Sequence, residues 1–383
     1  MIDKDKVVFV TGATGFIGGR ICERLVLAGV RNVRALVHTP HRAARIARLP
    51  IELCPGSLSD RASLQKAMGR ANIVVHCGLG VGRAIVDGTR NLLEAAKAAG
   101  VERFVHMSTA AVYGLTPKPG SEREDAPLPR TGEPYCDNKG RAERVVLRYG
   151  NGGLPVVILR PSIVWGPFSA WSTRLIPDLK GHRVSLINGG KGACNTTHVD
   201  NLVDAIFLSI ENDRALGEAF FITDGERITW ADFIEAHVKM LGKDMSLPNL
   251  TLAEIEDYYR KQPGMLMGSL KATRAVLRSR EFRQLLLRIP ATKAMLDRLW
   301  RWSISLDEAT RDRIRARVGI RRVFPNGNSQ GPSIPDSDTV ATQSTTVYFS
   351  IEKARKLLGY EPRVLFAPGI TLVEKWLRFA NYI

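Results

Sequence analysis

The sequence lacks the features of a secreted protein, a membrane protein or a metalloprotein. Its five cysteines, an odd number, lie far apart and form no CxxC pair, which argues against a disulfide framework and a structural zinc site. The seven histidines show no ligand spacing, so no metal is predicted. No stretch approaches about 18 apolar residues, and the first residues, MIDKDK, are charged. Neither a spanning helix nor a signal peptide is therefore predicted, and the expected location is the cytoplasm.

Acidic residues are also scarce, with 38 Asp and Glu against 55 Lys and Arg, and the net charge is +17. Residues 260–322 alone hold 17 basic and 5 acidic residues, a local net of +12, so the charge belongs to one segment. Amphipathic basic stretches with two tryptophans occupy residues 266–323. The favoured interpretation is a helical lid over a substrate pocket, and the alternative is peripheral contact with an anionic membrane. Nucleic acid is not expected, because no recognised module accompanies the charge.

The stretch VVFVTGATGFIGGR, residues 7–20, predicts a buried parallel strand, a glycine turn and a helix. Gly12, Gly15 and Gly18 meet three demands: positive φ in a tight turn, close approach of a ligand to the backbone, and close packing of helix on strand. The helix beginning near Phe16 points its unpaired N–H groups and positive dipole end into the turn, which favours a pyrophosphate. A dinucleotide cofactor is predicted there.

The second strand, residues 33–37, should end at the adenosine ribose of that cofactor. A site that prefers NAD usually places a carboxylate there, whereas this chain offers His38, Arg42 and Arg45. Cationic groups favour the 2′-phosphate of NADP, with NAD as the alternative if these arginines form an ordinary solvated helix face.

Strands and helices alternate along residues 7–159, which predicts βαβ units with right-handed crossovers. The fold class is therefore an α/β, Rossmann-type doubly wound parallel sheet with a smaller, mostly helical substrate region. The predicted domains are a nucleotide-binding domain at 1–165, continued by 192–229, a substrate region at 166–191 and 230–325, a flexible linker at 326–345 and a C-terminal closing segment at 346–383.

Five motifs in register resemble the extended short-chain dehydrogenases/reductases, specifically the NAD-dependent epimerase/dehydratase group. They are TGATGFIG, MSTAAVYG, YCDNK, RPSIVWGP and HVDNL, which begin at residues 11, 107, 135, 160 and 198. The resemblance implies a nicotinamide cofactor, a small hydroxy or keto substrate and a homodimer formed through the helices at Thr89 and Tyr135. The residues expected to bind the cofactor are Gly12, Thr14, Gly15, Phe16, Ile17, Gly18, His38, Arg42, Ser57, Leu58, Cys77, Gly78, Lys139, Pro161 and Ser162.

Tyr135 and Lys139 stand four residues apart on one predicted helix, so both side chains emerge on the same face. An ammonium about 4 Å away would stabilise a phenolate and lower a phenol pKa of about 10 towards neutrality. Tyr135 is therefore the predicted acid–base catalyst. In the family the lysine also holds the nicotinamide ribose, and the family pattern gives the positioning hydroxyl to Thr109, with Ser108 as the neighbouring candidate.

Two departures from the family pattern bear on the substrate. Sugar-nucleotide enzymes of this group usually carry Arg-Asp where this chain has Cys194 and Asn195, so a bidentate phosphate donor is missing. The segment at residues 78–88 is also shorter than the usual substrate-facing loop. Both leave room for a steroid-like or lipid-like alcohol. The predicted function is an NAD(P)-dependent oxidoreductase of epimerase/dehydratase type; the alternatives are a hydroxysteroid- or lipid-alcohol-type dehydrogenase at a membrane surface and a non-catalytic NAD(P)-sensing protein.

Overall fold

The computed structural model describes residues 2–242, 245–261 and 334–383. Its strands are β1 (Val7–Thr11), β2 (Asn32–Val37), β3 (Glu52–Pro55), β4 (Ile73–His76), β5 (Arg103–Met107), β6 (Val156–Pro161), β7 (Ile163–Trp165), β8 (Leu186–Ile187), β9 (Thr196–His198), β10 (Ala219–Ile222) and β11 (Asn249–Leu250). Seven of them form one parallel sheet in the order β10-β6-β5-β4-β1-β2-β3. The order reverses at β1, as in a doubly wound fold, and the predicted fold class is confirmed.

The described residues form eleven helices. They are α1 (Phe16–Leu27), α2 (Arg61–Met68), α3 (Ala84–Ala98), α4 (Pro134–Asn151), α5 (Ala170–Lys180), α6 (Val199–Glu211), α7 (Trp230–Met240), α8 (Leu252–Lys261), α9 (Ser337–Gln343), α10 (Glu352–Leu358) and α11 (Phe366–Phe379). Helices α1, α6 and α10 share an apolar core with one face, and α2, α3 and α4 share a core with the other. The sheet is therefore buried on both faces, which explains its continuous Val/Ile-rich strands.

A third apolar cluster lies beside the sheet, where the sequence predicts a substrate region. Trp165, Trp230 and Phe233 form its centre, and α5, α7 and α11 pack around it. The short pairs β7–β9 and β8–β11 connect this region to the rest of the unit. Its role in substrate binding stays a prediction.

The C-terminal part of the chain corrects one expected boundary. Residues 326–345 are predicted to be a flexible linker, yet 337–343 form α9, because the Asp336 side chain accepts a hydrogen bond from the Thr339 amide and caps the helix. Residues 326–333 lie outside the described residues. The seventh strand of the sheet, β10, was not predicted from the sequence; it has only four residues.

The chain divides into two compact units, Met1–Leu252 with Pro332–Ile383 and Ala253–Gly331. Of the second unit the structure describes only residues 253–261, which belong to α8. The basic segment 266–323, for which a lid or a membrane contact is predicted, lies outside the described residues. Within the ranges that the structure describes, none of the helices has the length and apolarity needed to cross a bilayer.

Candidate functional site

The glycine turn joins the carboxyl end of β1 to the amino end of α1. Gly12 has φ +69°, and a Cβ there would lie 2.5 Å from the Cys77 carbonyl oxygen. A Cβ on Gly18 would lie 2.3 Å from the Gly12 carbonyl oxygen. Neither position tolerates a side chain, so the two glycines fix the contact of α1 with β1 and of β1 with β4.

The amino end of α1 is suited to bind an anion. Gly15 is its N-cap and supplies no side-chain cap, and the first turn holds no acidic residue. The first amides of the helix, with its positive dipole end, are therefore left for a ligand. A dinucleotide pyrophosphate fits this cradle, and the sequence-predicted residues at its rim are Thr14, Phe16 and Ile17.

The end of β2, where the adenosine ribose is predicted to bind, carries basic residues. His38 follows β2, and Arg42 lies in the short 3-10 helix Pro40–Arg45; both side chains are exposed. Arg45, the third cation predicted here, instead donates two hydrogen bonds to Glu23, with Nε and Nη2 at 3.1 and 3.0 Å from Oε1. Of these three basic residues, only His38 and Arg42 therefore face solvent without an acidic partner in the described part of the chain.

Ser57 and Leu58, two of the residues expected to bind the cofactor, lie in the loop between β3 and α2. The Ser57 hydroxyl lies 2.9 Å from that of Ser59, and Leu58 packs beneath Gly78 at the end of β4. Asp60 caps α2 by accepting hydrogen bonds from two backbone amides.

A directed hydrogen-bond chain ties the ends of β1 and β4 together. The Thr89 hydroxyl donates to the Ile85 carbonyl, so the neutral His76 ring carries its proton on Nε2. His76 Nδ1 therefore accepts from the Thr11 hydroxyl, 2.7 Å away, and that hydroxyl accepts from the Gly78 amide at 3.1 Å. His76 Nε2 then donates to Thr89 on α3, at 3.1 Å. Burial lowers the pKa of His76 to about 3, so it is neutral. Burial also raises the pKa of the neighbouring Cys77 thiol to about 12, which leaves Cys77 without thiolate character.

The predicted catalytic residues lie at the carboxyl end of β5 and on the first turns of α4. Lys139 is buried, and its Nζ donates to the Met107 carbonyl oxygen at 2.8 Å. Burial lowers the Lys139 pKa to about 8, against the raising effect of Cys77 and Glu143. Tyr135, one turn earlier, is 42% exposed.

The Tyr135 phenol differs from the sequence-based expectation. Burial around its hydroxyl raises its pKa above 10, while a hydrogen bond with Thr109 opposes that shift. A lowered pKa was expected from the Lys139 charge. That ammonium is instead held by the Met107 carbonyl, so desolvation dominates at the phenol.

Two hydroxyls follow β5, and they are used differently. Thr109 Oγ1 accepts a hydrogen bond from the Ala111 amide at 3.2 Å, which caps a short 3-10 helix, and it also bonds the Tyr135 phenol. Ser108 is buried, and its Oγ has no hydrogen-bond partner within the described ranges. A buried hydroxyl without a partner at a strand end is a group available to a ligand.

Pro161 and Ser162, which the resemblance places beside the nicotinamide, lie at the end of β6. Cys194 and Asn195, where sugar-nucleotide enzymes of this group carry Arg-Asp, come later in the chain. Pro161 ends β6, and the Ser162 amide donates to the Thr197 hydroxyl at 3.3 Å. Cys194 is fully buried. The Asn195 side chain donates to the Val347 carbonyl and accepts from the Phe349 amide, each at 2.9 Å. Both clamp positions therefore serve internal packing and cannot hold a diphosphate.

A buried ion pair beneath α4 was missed from the sequence. Arg160 on β6 donates to Glu143 at 3.0 and 2.7 Å, and its Nη1 donates to the Tyr113 hydroxyl at 3.1 Å. Glu143 follows Lys139 by four residues, so that both lie on one face of α4. That spacing, together with the arginine in the RPSIVWGP motif, was the available signal.

A second buried polar group lies on the same side of the sheet. His106 on β5 pairs in register with His76, and their ring centroids are 5.3 Å apart. Neither of the His106 nitrogens has a partner among the described residues. Residues within those ranges form no cluster of three or more groups that could hold a metal.

The chain resembles known proteins in sequence. The family model described as "NAD dependent epimerase/dehydratase family" matches residues 8–222. A 4-hydroxy-2-methyl-3-oxo-4-farnesyl-3,4-dihydroquinoline-1-oxide ketoreductase of Stigmatella aurantiaca is 30% identical over 253 residues, which cover 63% of this chain and 75% of that protein. A 3-beta-hydroxysteroid dehydrogenase of Mycolicibacterium neoaurum is 24% identical over 379 residues, or 93% of this chain and 87% of that protein.

Solved structures show the same fold. A UDP-glucuronic acid 4-epimerase from Bacillus cereus, in complex with NAD, superposes with a TM-score of 0.65 at 20% identity. The match covers 98% of this chain and 99% of that structure.

Proposed function

Because this chain belongs to the NAD-dependent epimerase/dehydratase family, we propose that it is an oxidoreductase that interconverts a ketone and a secondary alcohol on an apolar small molecule. One arrangement carries the proposal: Tyr135, Lys139 and Thr109 stand at the carboxyl end of β5, on the sheet edge that also holds the glycine turn. Ligands of open α/β sheets bind at this edge.

Tyr135 is the proposed acid–base catalyst. Since its pKa is raised, the phenol is protonated at neutral pH and is ready to donate a proton to a carbonyl oxygen. The dinucleotide, when bound, supplies or accepts the hydride.

The other residues orient the substrate and the cofactor. Thr109 bonds the phenol and positions the substrate oxygen, and Ser108 offers the second hydroxyl. Lys139 uses one of its three donors on Met107, and the others are proposed to bind the nicotinamide ribose. Pro161 and Ser162 flank the nicotinamide.

The cofactor is proposed to be NADP rather than NAD. The end of β2 carries no carboxylate to accept from a ribose 2′-hydroxyl, whereas His38 and Arg42 are exposed basic residues at that end. Such groups suit a 2′-phosphate. The glycine turn holds the pyrophosphate, with Ser57, Leu58, Cys77 and Gly78 along the floor of the groove.

The substrate is proposed to be an apolar hydroxy or keto compound. Cys194 and Asn195 are committed to the interior, so the clamp positions have no cation for a nucleotide diphosphate. The two relatives named above act, by their names, on a farnesylated dihydroquinoline oxide and on a 3-beta-hydroxysteroid. A sugar-nucleotide epimerase or dehydratase, the activity of many proteins with this fold, is the second candidate.

Two further proposals concern partners. Helices α3 and α4 lie side by side and frame a groove of about 570 Å³, and a homodimer is proposed to form through this pair. Contact of the basic segment 266–323 with an anionic membrane is proposed from its charge alone, because this segment lies outside the described residues. Liposome co-sedimentation with and without the segment tests that contact, and light scattering tests the dimer.

A Tyr135→Phe variant tests the proposed chemistry. Ketone reduction with NADPH should fall by roughly 10²- to 10⁴-fold, because the proton donor is removed, while the cofactor Kd stays unchanged. Tyr149→Phe, at the far end of the same helix, is the matched control and should keep full activity. A Tyr135→Phe protein that binds NADPH normally and reduces the substrate at the original rate would refute the proposal. A non-catalytic sensor would bind the cofactor and turn over no compound of a ketone panel.

A further inference from the structure

The loop between β7 and α5 holds a bulky side chain in an unfavourable backbone conformation. Phe168 has φ +72°, a region that aromatic residues rarely adopt, and it is 49% exposed. Neither the predicted reaction nor the core requires an aromatic side chain at this place. A strained, half-exposed residue persists only when its contacts determine its position.

Those contacts come from two different elements. The Arg45 guanidinium carbon lies 4.1 Å from the centroid of the Phe168 ring, and the Trp376 ring of α11 lies 4.8 Å away on centroids. Arg45 is held on its own side by Glu23 of α1. The ring is thus in contact with a cation that Glu23 holds in place and with a second aromatic ring, and both contacts are favourable.

The contact between Arg45 and Phe168 lies close to the first turn of α1, whose amino end is the predicted pyrophosphate site. The Arg45 guanidinium carbon lies 3.7 Å from where a Cβ on Gly19 would stand, in the first turn of α1. At the other end of the loop, a Cβ on Gly166 would meet the Val199 side chain at 3.0 Å, at the amino end of α6. Arg20 and Asp200 join α1 and α6 at 2.6 Å. The loop therefore runs from the amino end of α6 to the flank of α1.

We propose that Phe168 and Arg45 form a clasp on the outer side of the dinucleotide groove, which must open before the cofactor enters or leaves. Here the clasp means the Phe168 ring, the Arg45 guanidinium and Glu23. This inference rests on the proposed function, since it requires a dinucleotide at α1. Phe168 is a positioning residue that controls access, and Arg45 is engaged in the clasp instead of contacting the ribose 2′-phosphate.

Stopped-flow fluorescence of NADPH tests the clasp on the full-length protein. Phe168→Ala should raise the association and the dissociation rate constants together, each by about tenfold, because the contact that must open has been removed. Arg45→Met should have the same effect, and the double variant should be no faster than either single variant, since both remove one contact. The matched controls are Phe379→Ala, which removes an 88% exposed aromatic side chain of α11, and Arg48→Met, which removes an exposed arginine one turn further on.

Each outcome separates the clasp from the proposed function. If the unaltered protein binds neither NADPH nor NADH, the proposed function fails. If it binds and Phe168→Ala leaves both rate constants unchanged, only the clasp is refuted. A rise in the dissociation rate constant alone would also refute it, because a residue that merely touches the cofactor slows its release without obstructing its entry.

Discussion

The two halves of the candidate site, the glycine turn and the α4 side, are held in place by different interactions. The glycine turn owes its shape to missing side chains, because a Cβ on Gly12 or Gly18 would collide with backbone atoms. The α4 side is built from buried charges: Lys139 against a carbonyl oxygen, and Glu143 against Arg160. The turn is organised by sterics and the α4 side by electrostatics, so the two should respond differently to substitution and to pH.

The largest expected effect is on the α4 side. Glu143→Gln leaves the buried Arg160 guanidinium without its counter-charge, and the free energy of unfolding should fall by roughly 3–5 kcal/mol. The control is Glu94→Gln, which breaks the exposed pair with Arg61 and should cost less than about 1 kcal/mol. Urea denaturation measures both. Equal losses in the two variants would show that burial does not distinguish the α4 pair.

The turn should respond to added volume. Gly18→Ala places a methyl group against the Gly12 carbonyl and should cost roughly 1–3 kcal/mol of stability and weaken NADPH binding. Gly140→Ala is the matched control on α4, because a Cβ there would have ordinary contacts at 3.8 and 3.9 Å. It should stabilise the protein by about 0.4–1 kcal/mol through the unfolded state. A harmless Gly18→Ala would remove the steric basis of the comparison.

The effect of pH should distinguish the two halves directly. The folded-state pKa of Lys139 is lowered from 10.5 to about 8, so between these values the unfolded chain binds more protons and stability rises with pH. From pH 7 to 9 this contribution amounts to about 1.4 kcal/mol. The rise should be present in the cofactor-free protein and absent from Lys139→Met. The buried thiols oppose this trend above pH 9, because their pKa values are raised in the folded state. Their contribution to stability cancels when the curve of Lys139→Met is subtracted from that of the unaltered protein. Identical curves would contradict the assignment.

The smallest expected effect concerns the basic residues that follow β2. Arg42→Ser should weaken NADPH binding by roughly fivefold and leave NADH binding unchanged, because only NADPH carries the 2′-phosphate. Arg48→Ser is the control and should alter neither affinity. Fluorescence titration measures all three proteins. Tighter binding of NADH than of NADPH to the unaltered protein would reverse the proposed preference.

The sequence predicted those parts that local patterns specify. Three glycines after an apolar run, and a tyrosine four residues before a lysine, place the turn and the face of α4 without knowledge of any distant contact. The linker was misjudged at its end, because a single cap at Asp336 outweighs a Pro/Ser-rich composition.

The direction of the Tyr135 pKa could not come from the sequence. Spacing along a helix sets the distance between two side chains on its face, but it does not show which carbonyl captures the ammonium, and the Met107 oxygen comes from β5. The placement of Arg45 is a similar case. Its sequence neighbours suggest a ribose contact, whereas Glu23 and Phe168 come from elements 22 and 123 residues away in the chain.

The amino-acid order alone therefore determined the doubly wound sheet, the glycine turn and the spacing of Tyr135 and Lys139 on one helix, because each depends on periodicity or on a few adjacent residues. The tertiary structure decided which charges are buried, which hydroxyl is left without a partner and which arginine is free to meet a phosphate. Those properties depend on desolvation and on contacts between strands and helices that are distant in the chain, and these exist only once the sheet has formed.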